Sequence, residues 1–150
     1  MISTDSIPTE RFSYHSLHLS TGLPLLETTQ QLVLDHSTGY SMVIDWQQQM
    51  IRNATTFTEE ELAVVFTLAS NWPSYVPYET LMINEAGEGP TPSQIDDARA
   101  ARYLETLIAP LKALIETCRA KLHTLGLDIS EIDQYGYRLA RLNEREEGRH

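Results

Sequence analysis

Cysteine is nearly absent from this chain: Cys118 stands alone among 150 residues, which excludes an internal disulfide. No apolar run approaches the ~20 residues a membrane-spanning helix needs, so no span is expected. The opening stretch "MISTDSIPTERF" has neither the basic segment nor the apolar segment of a secretory leader, and a cytoplasmic protein is expected. Positive charge is also scarce. Residues 1–110 hold four Arg against fourteen Asp and Glu, whereas residues 111–150 hold seven Lys and Arg against seven acids, for a net charge of −10. Such a chain is repelled by phosphate at long range, so any nucleic-acid contact must come from a local basic face in the last quarter.

Catalytic signatures are missing too. There is no G-x-S-x-G, no P-loop and no G-x-G-x-x-G, and the two Gly of "EAGEGP" lie among acids that repel phosphate. His15 and His18 are three apart, but a metal site would need further ligands such as Asp35 or His36, and a surface strand is the simpler reading. Cys118 falls on an apolar helical stripe and reads as a buried thiol. Neither an enzyme, a metal nor a cofactor is expected.

What is present is a clear change of period. "QLVLD", "YSMVIDW" and "MIRNATTFT" read as strands of a small antiparallel sheet, and "RFSYHSLHLS" adds one short strand in an N-terminal arm, residues 1–30. At "TFTEEELAVVFTLASNWP" the spacing becomes helical, with Leu62, Val65, Phe66 and Ala69 on one face. Thr58 and Glu61 form a capping box, and Trp72 and Pro73 end the helix. A short helix is predicted near Pro77 to Ile83. Thr91, Pro92 and Gln94 start another that should run to about Thr124, kinked or split at Pro110. Leu111, Leu114, Ile115, Cys118, Leu122 and Leu125 form its apolar stripe, and Gly126 stops it. "DISEIDQYGYRLARL" then reads as a hairpin, and residues 144–150 as a polar tail. Helices packed on small antiparallel sheets make an α+β domain.

The stretch "RAKLHTLGLDISEIDQYGYRLARL" resembles the end of the DNA-binding domain of OmpR/PhoB-type response regulators, where a helix closing L-R-x-K-L precedes a wing with an R-G-x-G-Y-x-L signature. Here the helix closes "CRAKL" and the wing reads "DQYGYRL". "FTEEELAVVFTLASN" is similar to the family's first helix, and "YVPYETLM" to the entry of its second. The likeness spans roughly residues 31–142 and implies a winged helix-turn-helix at residues 31–143, with an N-terminal antiparallel sheet, three or four helices and a C-terminal hairpin wing. The helix from about Leu111 to His123 would lie in the major groove of double-stranded DNA. Lys112 and Thr117 would then sit nearest the bases, and Arg119, Lys121, Arg138 and Arg141 on phosphates. The wing would comprise Asp133, Gln134, Tyr135, Gly136 and Tyr137.

Two departures from the family stand out. Asp133-Gln134 replaces the wing Arg-Gly, and residues 84–110 form an acidic insertion between the second and recognition helices, where the family contacts polymerase or partners. Residues 1–30 are also too few for a receiver domain. Two functions follow. One is a DNA-binding transcriptional regulator acting as a homodimer on repeated half-sites, which the resemblance puts ahead. The other is an acidic winged helix that has become a protein-interaction or dimerisation module.

Overall fold

A computed structural model of the chain describes residues 14–17, 25–26, 29–84 and 86–142. The chain is α+β, built from two antiparallel sheets and four helices. Strands β1 (Tyr14–Leu17), β2 (Gln30–Asp35), β3 (Tyr40–Asp45) and β4 (Met50–Thr56) form a meander in that spatial order. The β2–β3 turn is set by Asp35, whose carboxylate accepts from the Ser37 amide at 2.9 Å and the Thr38 hydroxyl at 2.9 Å. Gly39 leaves this turn at φ +80°, a left-handed conformation with little cost only for glycine. Leu32, Leu34 and Val43 point to the main core, while Val33, Met42 and Ile44 make a smaller cluster with Ile51 and Ala54. Sheet alternation puts the two sets on opposite faces.

Helix α1 (Glu59–Asn71) begins at the predicted capping box. The Thr58 hydroxyl accepts from the Glu61 amide, and the Glu61 carboxylate accepts from the Thr58 amide at 2.8 Å. Its buried face is wider than the period predicts, because Val64 and Leu68 join Leu62, Val65 and Ala69, while Phe66 is only half-buried. The reason is tertiary: α1 packs against α4 (Leu104–Thr124), β5 (Val76–Pro77) and β7 (Gly136–Arg141), so more than one side is covered.

The short α2 (Tyr78–Leu81) follows β5 directly. Helix α3 (Pro92–Ala100) starts at a second capping box, Thr91 with Gln94, and has Pro92 at its first turn. The helix break does not fall at Pro110. It falls at Ala101–Tyr103, where Arg102 takes φ 64°, and α4 then runs unbroken through the proline. Pro110 and Thr106, whose carbonyl loses its partner, are both exposed, so water can take the missing bond. The break turns the chain so that Ile95 and Ala98 of α3 and Leu104 and Ile108 of α4 all enter one core. The helix read as starting near Leu111 therefore begins at Leu104.

Strands β6 (Leu127–Ile132) and β7 form the C-terminal hairpin, and β5 adds to its far side, giving the order β5-β7-β6. Gly136 makes that addition possible. A Cβ placed there would lie 2.0 Å from the Val76 carbonyl oxygen. Gly136→Ala is expected to push β5 off β7 and lower stability by about 2 kcal/mol, measured by urea denaturation; an unchanged midpoint would contradict so close an approach.

β1 pairs along β2, and Leu25 and Leu26 are buried in the main core, so parts of the N-terminal 30 residues are built into the fold. The remainder of that arm and the polar tail at 144–150 lie outside the described residues.

Candidate binding face of the fourth helix and the hairpin

Helix α4 carries four of the six residues read as DNA contacts, and each of the three cationic ones is engaged by a carboxylate. Lys112 Nζ lies 2.7 Å from Glu105 Oε2 and 3.8 Å from Glu131 Oε2. The bond to Glu105 raises its pKa despite partial desolvation. Arg119 gives Nε to Asp128 Oδ1 at 2.9 Å and Nη1 to Glu116 Oε1 at 3.1 Å. Lys121 reaches the other way, donating to Glu61 Oε1 at 2.5 Å and lying 5.9 Å from the centre of the Phe57 ring. Two residues apart on an α-helix is a rotation of about 200°. Arg119 and Lys121 therefore serve opposite sides of α4 and form no common strip.

Two of these carboxylates are buried. Burial opposes the ionisation of Glu61, yet bonds from Lys121 and the Thr58 amide outweigh it and carry its pKa from 4.5 down to about 2. Asp128 shows the same balance. Desolvation raises its pKa, while Arg119, the Ile129 amide and His123 together hold it below the ordinary value. Its Oδ1 accepts from Ile129 N at 2.8 Å and lies 3.0 Å from His123 Nε2. A half-exposed guanidinium fixed on a buried carboxylate is poorly placed to leave it for a phosphate.

The remaining candidates are dispersed. Thr117 is exposed, and its hydroxyl donates to the Leu114 carbonyl at 2.8 Å within its own helix. It shares the exposed side of α4 with Thr106, Ala109, Ala113, Glu116 and Ala120, a surface whose nearest cation, Lys121 one turn on, is held by Glu61. Arg138 is half-buried opposite Ser130, and Arg141 is exposed at the end of β7 opposite Leu127. Arg141 edges a separate cleft with Arg52, Leu25 and Leu125.

Of the residues read as a wing, Asp133, Gln134 and Tyr135 form the exposed hairpin turn, while Gly136 and Tyr137 are buried. Tyr137 packs edge-on against Tyr78, with ring centres 5.7 Å apart, and the Tyr78 hydroxyl donates to Glu131 Oε2 at 2.8 Å. Burial and the neighbouring carboxylate push both phenols well above their ordinary pKa.

The residue that sequence reasoning missed is Arg99. Within the segment read as an acidic insertion, α3 projects it onto the hairpin turn, where Nε and Nη2 donate to the Gln134 carbonyl at 3.0 and 2.8 Å. The guanidinium lies 4.5 Å from the centre of the Tyr135 ring, and Nη1 pairs with Asp96 at 2.8 Å. Gln134 sits at φ 70°, so the clamp holds a conformation that a non-glycine residue rarely adopts. No local signal announces a contact across 35 positions. Arg99→Ala is expected to cost about 1 kcal/mol through the lost cation–π contact and turn bonds. Faster hydrogen exchange at the Tyr135 amide, with α1 unchanged, is the confirming result; uniform exchange throughout would show that the turn holds itself.

Other chemistry is weak here. Burial and the proximity of Glu61 push the Cys118 thiol up to about 12, which suits packing and not attack. Among the described residues no three His, Cys, Asp or Glu are grouped so as to hold a metal ion, and His18 lies outside them. None of the described helices is long and apolar enough to cross a membrane. No protein-family model matches the chain, and no curated protein sequence matches it either.

Proposed function

We propose that the chain is an acidic winged helix of the OmpR/PhoB type whose helix-and-hairpin face docks a basic protein partner in place of DNA. Support for the winged-helix half comes from the order of elements: a four-stranded sheet, α1, a two-residue strand, a short helix, a long helix and a hairpin that the two-residue strand extends. The observation that carries the docking half is the pairing of Lys112, Arg119 and Lys121 with Glu105, Asp128 and Glu61. Phosphate affinity comes from cations that release counterions on contact, and cations already neutralised by carboxylates supply little of it.

Two further features point the same way. The hairpin turn carries Asp133 and is held against α3 by Arg99, so it does not project as an open arm. Glu105, Glu116 and Asp96 remain about two-thirds exposed on this side, with side-chain accessibilities of 69%, 68% and 71%. Each is itself paired, with Lys112, Arg119 and Arg99, so the attraction for a basic partner comes from the net charge of −10.

The test is fluorescence anisotropy with a mixed pool of labelled duplex DNA at low and at moderate salt. Little binding at either salt is expected. Tight binding that weakens steeply with salt, and weakens further in Arg119→Ala, would restore the transcriptional-regulator reading.

A further inference from the structure

We infer that the cleft between the core-side face of the first sheet and the open end of the hairpin binds a small organic carboxylate with an apolar body, its charge held by Arg52 and Arg141. The site is independent of the docking reading, because it shares no lining residue with the cavity between α4 and β6.

Two parts of the fold meet here. Val43 and Asn53 are cross-strand partners in β3 and β4, and Val43 belongs to the main core, so the pair marks the core-side face of that sheet. From the other side come Leu125 and Gly126, where α4 ends, and Arg141 and Leu142, where β7 ends. The Leu142 amide donates to the Gly126 carbonyl at 3.3 Å and ties those two ends together. Between the two parts lies a cavity of about 470 Å³, within the ~300–1,000 Å³ usual for small-molecule sites. A Cβ built at Gly126 would meet nothing within 4 Å, so the space beside it is clear.

Arg52 is aimed into this cleft by an irregularity in the sheet. Asn53 lies opposite Val43 and Ile51 opposite Ile44, which leaves Arg52 as the extra residue of a bulge in β4. Neighbours in a regular strand point to opposite faces, yet Arg52 and Asn53 both line the cleft. Re-aiming one side chain is what a bulge does. The Arg52 Nη1 donates to Gln48 Oε1 at 3.1 Å, a neutral acceptor. Among the described residues no carboxylate forms an ion pair with it, in contrast to Arg99, Lys112, Arg119 and Lys121. Arg141, exposed at the end of β7, brings a second guanidinium from the other sheet.

The lining identifies the ligand. Leu25, Leu26, Val43 and Leu125, all members of the main core, supply an apolar floor, and Gln30 and Asn53 add side-chain amides. No Asp or Glu is among the described lining residues, in a chain of net charge −10. Asp45 follows Val43 on the same face, but its Oδ1 is committed to the Gln47 and Gln48 amides at the β3–β4 turn. A guanidinium fork matches a carboxylate in shape as well as charge. An inorganic anion would leave the leucine floor unused, and a neutral apolar molecule would leave both guanidiniums unused.

The probe is octanoate, titrated into the full chain and followed by backbone amide chemical shifts, beside octan-1-ol, which lacks the charge, and acetate, which lacks the body. Saturable shifts are expected at Val43, Asn53, Gly126 and Leu142, with octanoate binding about tenfold or more tighter than either control. Arg52→Gln and Arg141→Gln, both at exposed positions that leave the core intact, should each weaken octanoate about tenfold while octan-1-ol is unaffected. Octan-1-ol binding as tightly as octanoate would overturn the carboxylate site and leave an apolar cavity. Acetate binding as tightly would reduce it to a surface anion site and overturn the apolar half. Absence of saturable shifts, or octanoate affinity unchanged in both Arg variants, overturns the inference outright.

Discussion

Glu61→Gln is expected to lower stability by about 3 kcal/mol at pH 7 and to flatten the response of the protein to acid. The sign follows from the depressed pKa. Glu61 is protonated at about 2 in the folded chain against an ordinary 4.5, so the stability it contributes is complete above the ordinary value and is lost as pH falls through about 2. Gln keeps an acceptor for the Thr58 amide, as Gln94 does for Thr91 at the start of α3, and so preserves the cap geometry. What it removes is the negative charge beneath Lys121. Urea denaturation at pH 7, 4 and 2 should show a deficit that shrinks to a few tenths of a kcal/mol at the lowest pH. A deficit of equal size at all three would place the effect in packing, since Glu61 is only 4% exposed.

The same residue shows how far the sequence could be read. Thr58 and Glu61, like Thr91 and Gln94, act within one turn, and both helix starts were legible because every partner lies within three residues. The strand meander was legible for a similar reason, since β2, β3 and β4 are joined by short polar turns with their own signals. Partners of Glu61 beyond that range were not legible: Lys121 lies 60 residues away. The helix break also escaped local reasoning. Pro110 is the stronger breaker by propensity, but it sits on an exposed side where its defect is solvated. Arg102 has no breaker signature and takes a positive φ because the two flanking helices each bury apolar residues in the same core. At the candidate face the residue types were visible in the sequence, while their pairings were not. Lys112, Arg119 and Lys121 read as free cations until the fold supplied Glu105, Asp128 and Glu61.

Asp128 offers the sharpest separation of stability from function. Its side chain is 7% exposed and accepts from the Arg119 guanidinium and the Ile129 amide, with His123 also within hydrogen-bonding distance. Asp128→Ala would strand a partly buried cation and an edge amide together, and is expected to cost about 3 kcal/mol. Because its folded pKa is depressed, this contribution too is present above the ordinary carboxylate range and disappears as pH falls through the lower folded value. The functional consequence runs in the opposite direction. In the pair Asp128→Asn with Glu116→Gln, both carboxylates that hold Arg119 are replaced by neutral isosteres, leaving a guanidinium on the hairpin side of α4 with its full charge. If self-neutralisation is what withholds this face from phosphate, the double variant gains salt-dependent affinity for duplex DNA. The slope of log affinity against log salt should then steepen by about one for the one cation released. A double variant that is folded and still indifferent to DNA would trace the indifference to the outward side of α4 and the clamped turn, where Thr117, Ala113 and Asp133 offer phosphate no positive charge.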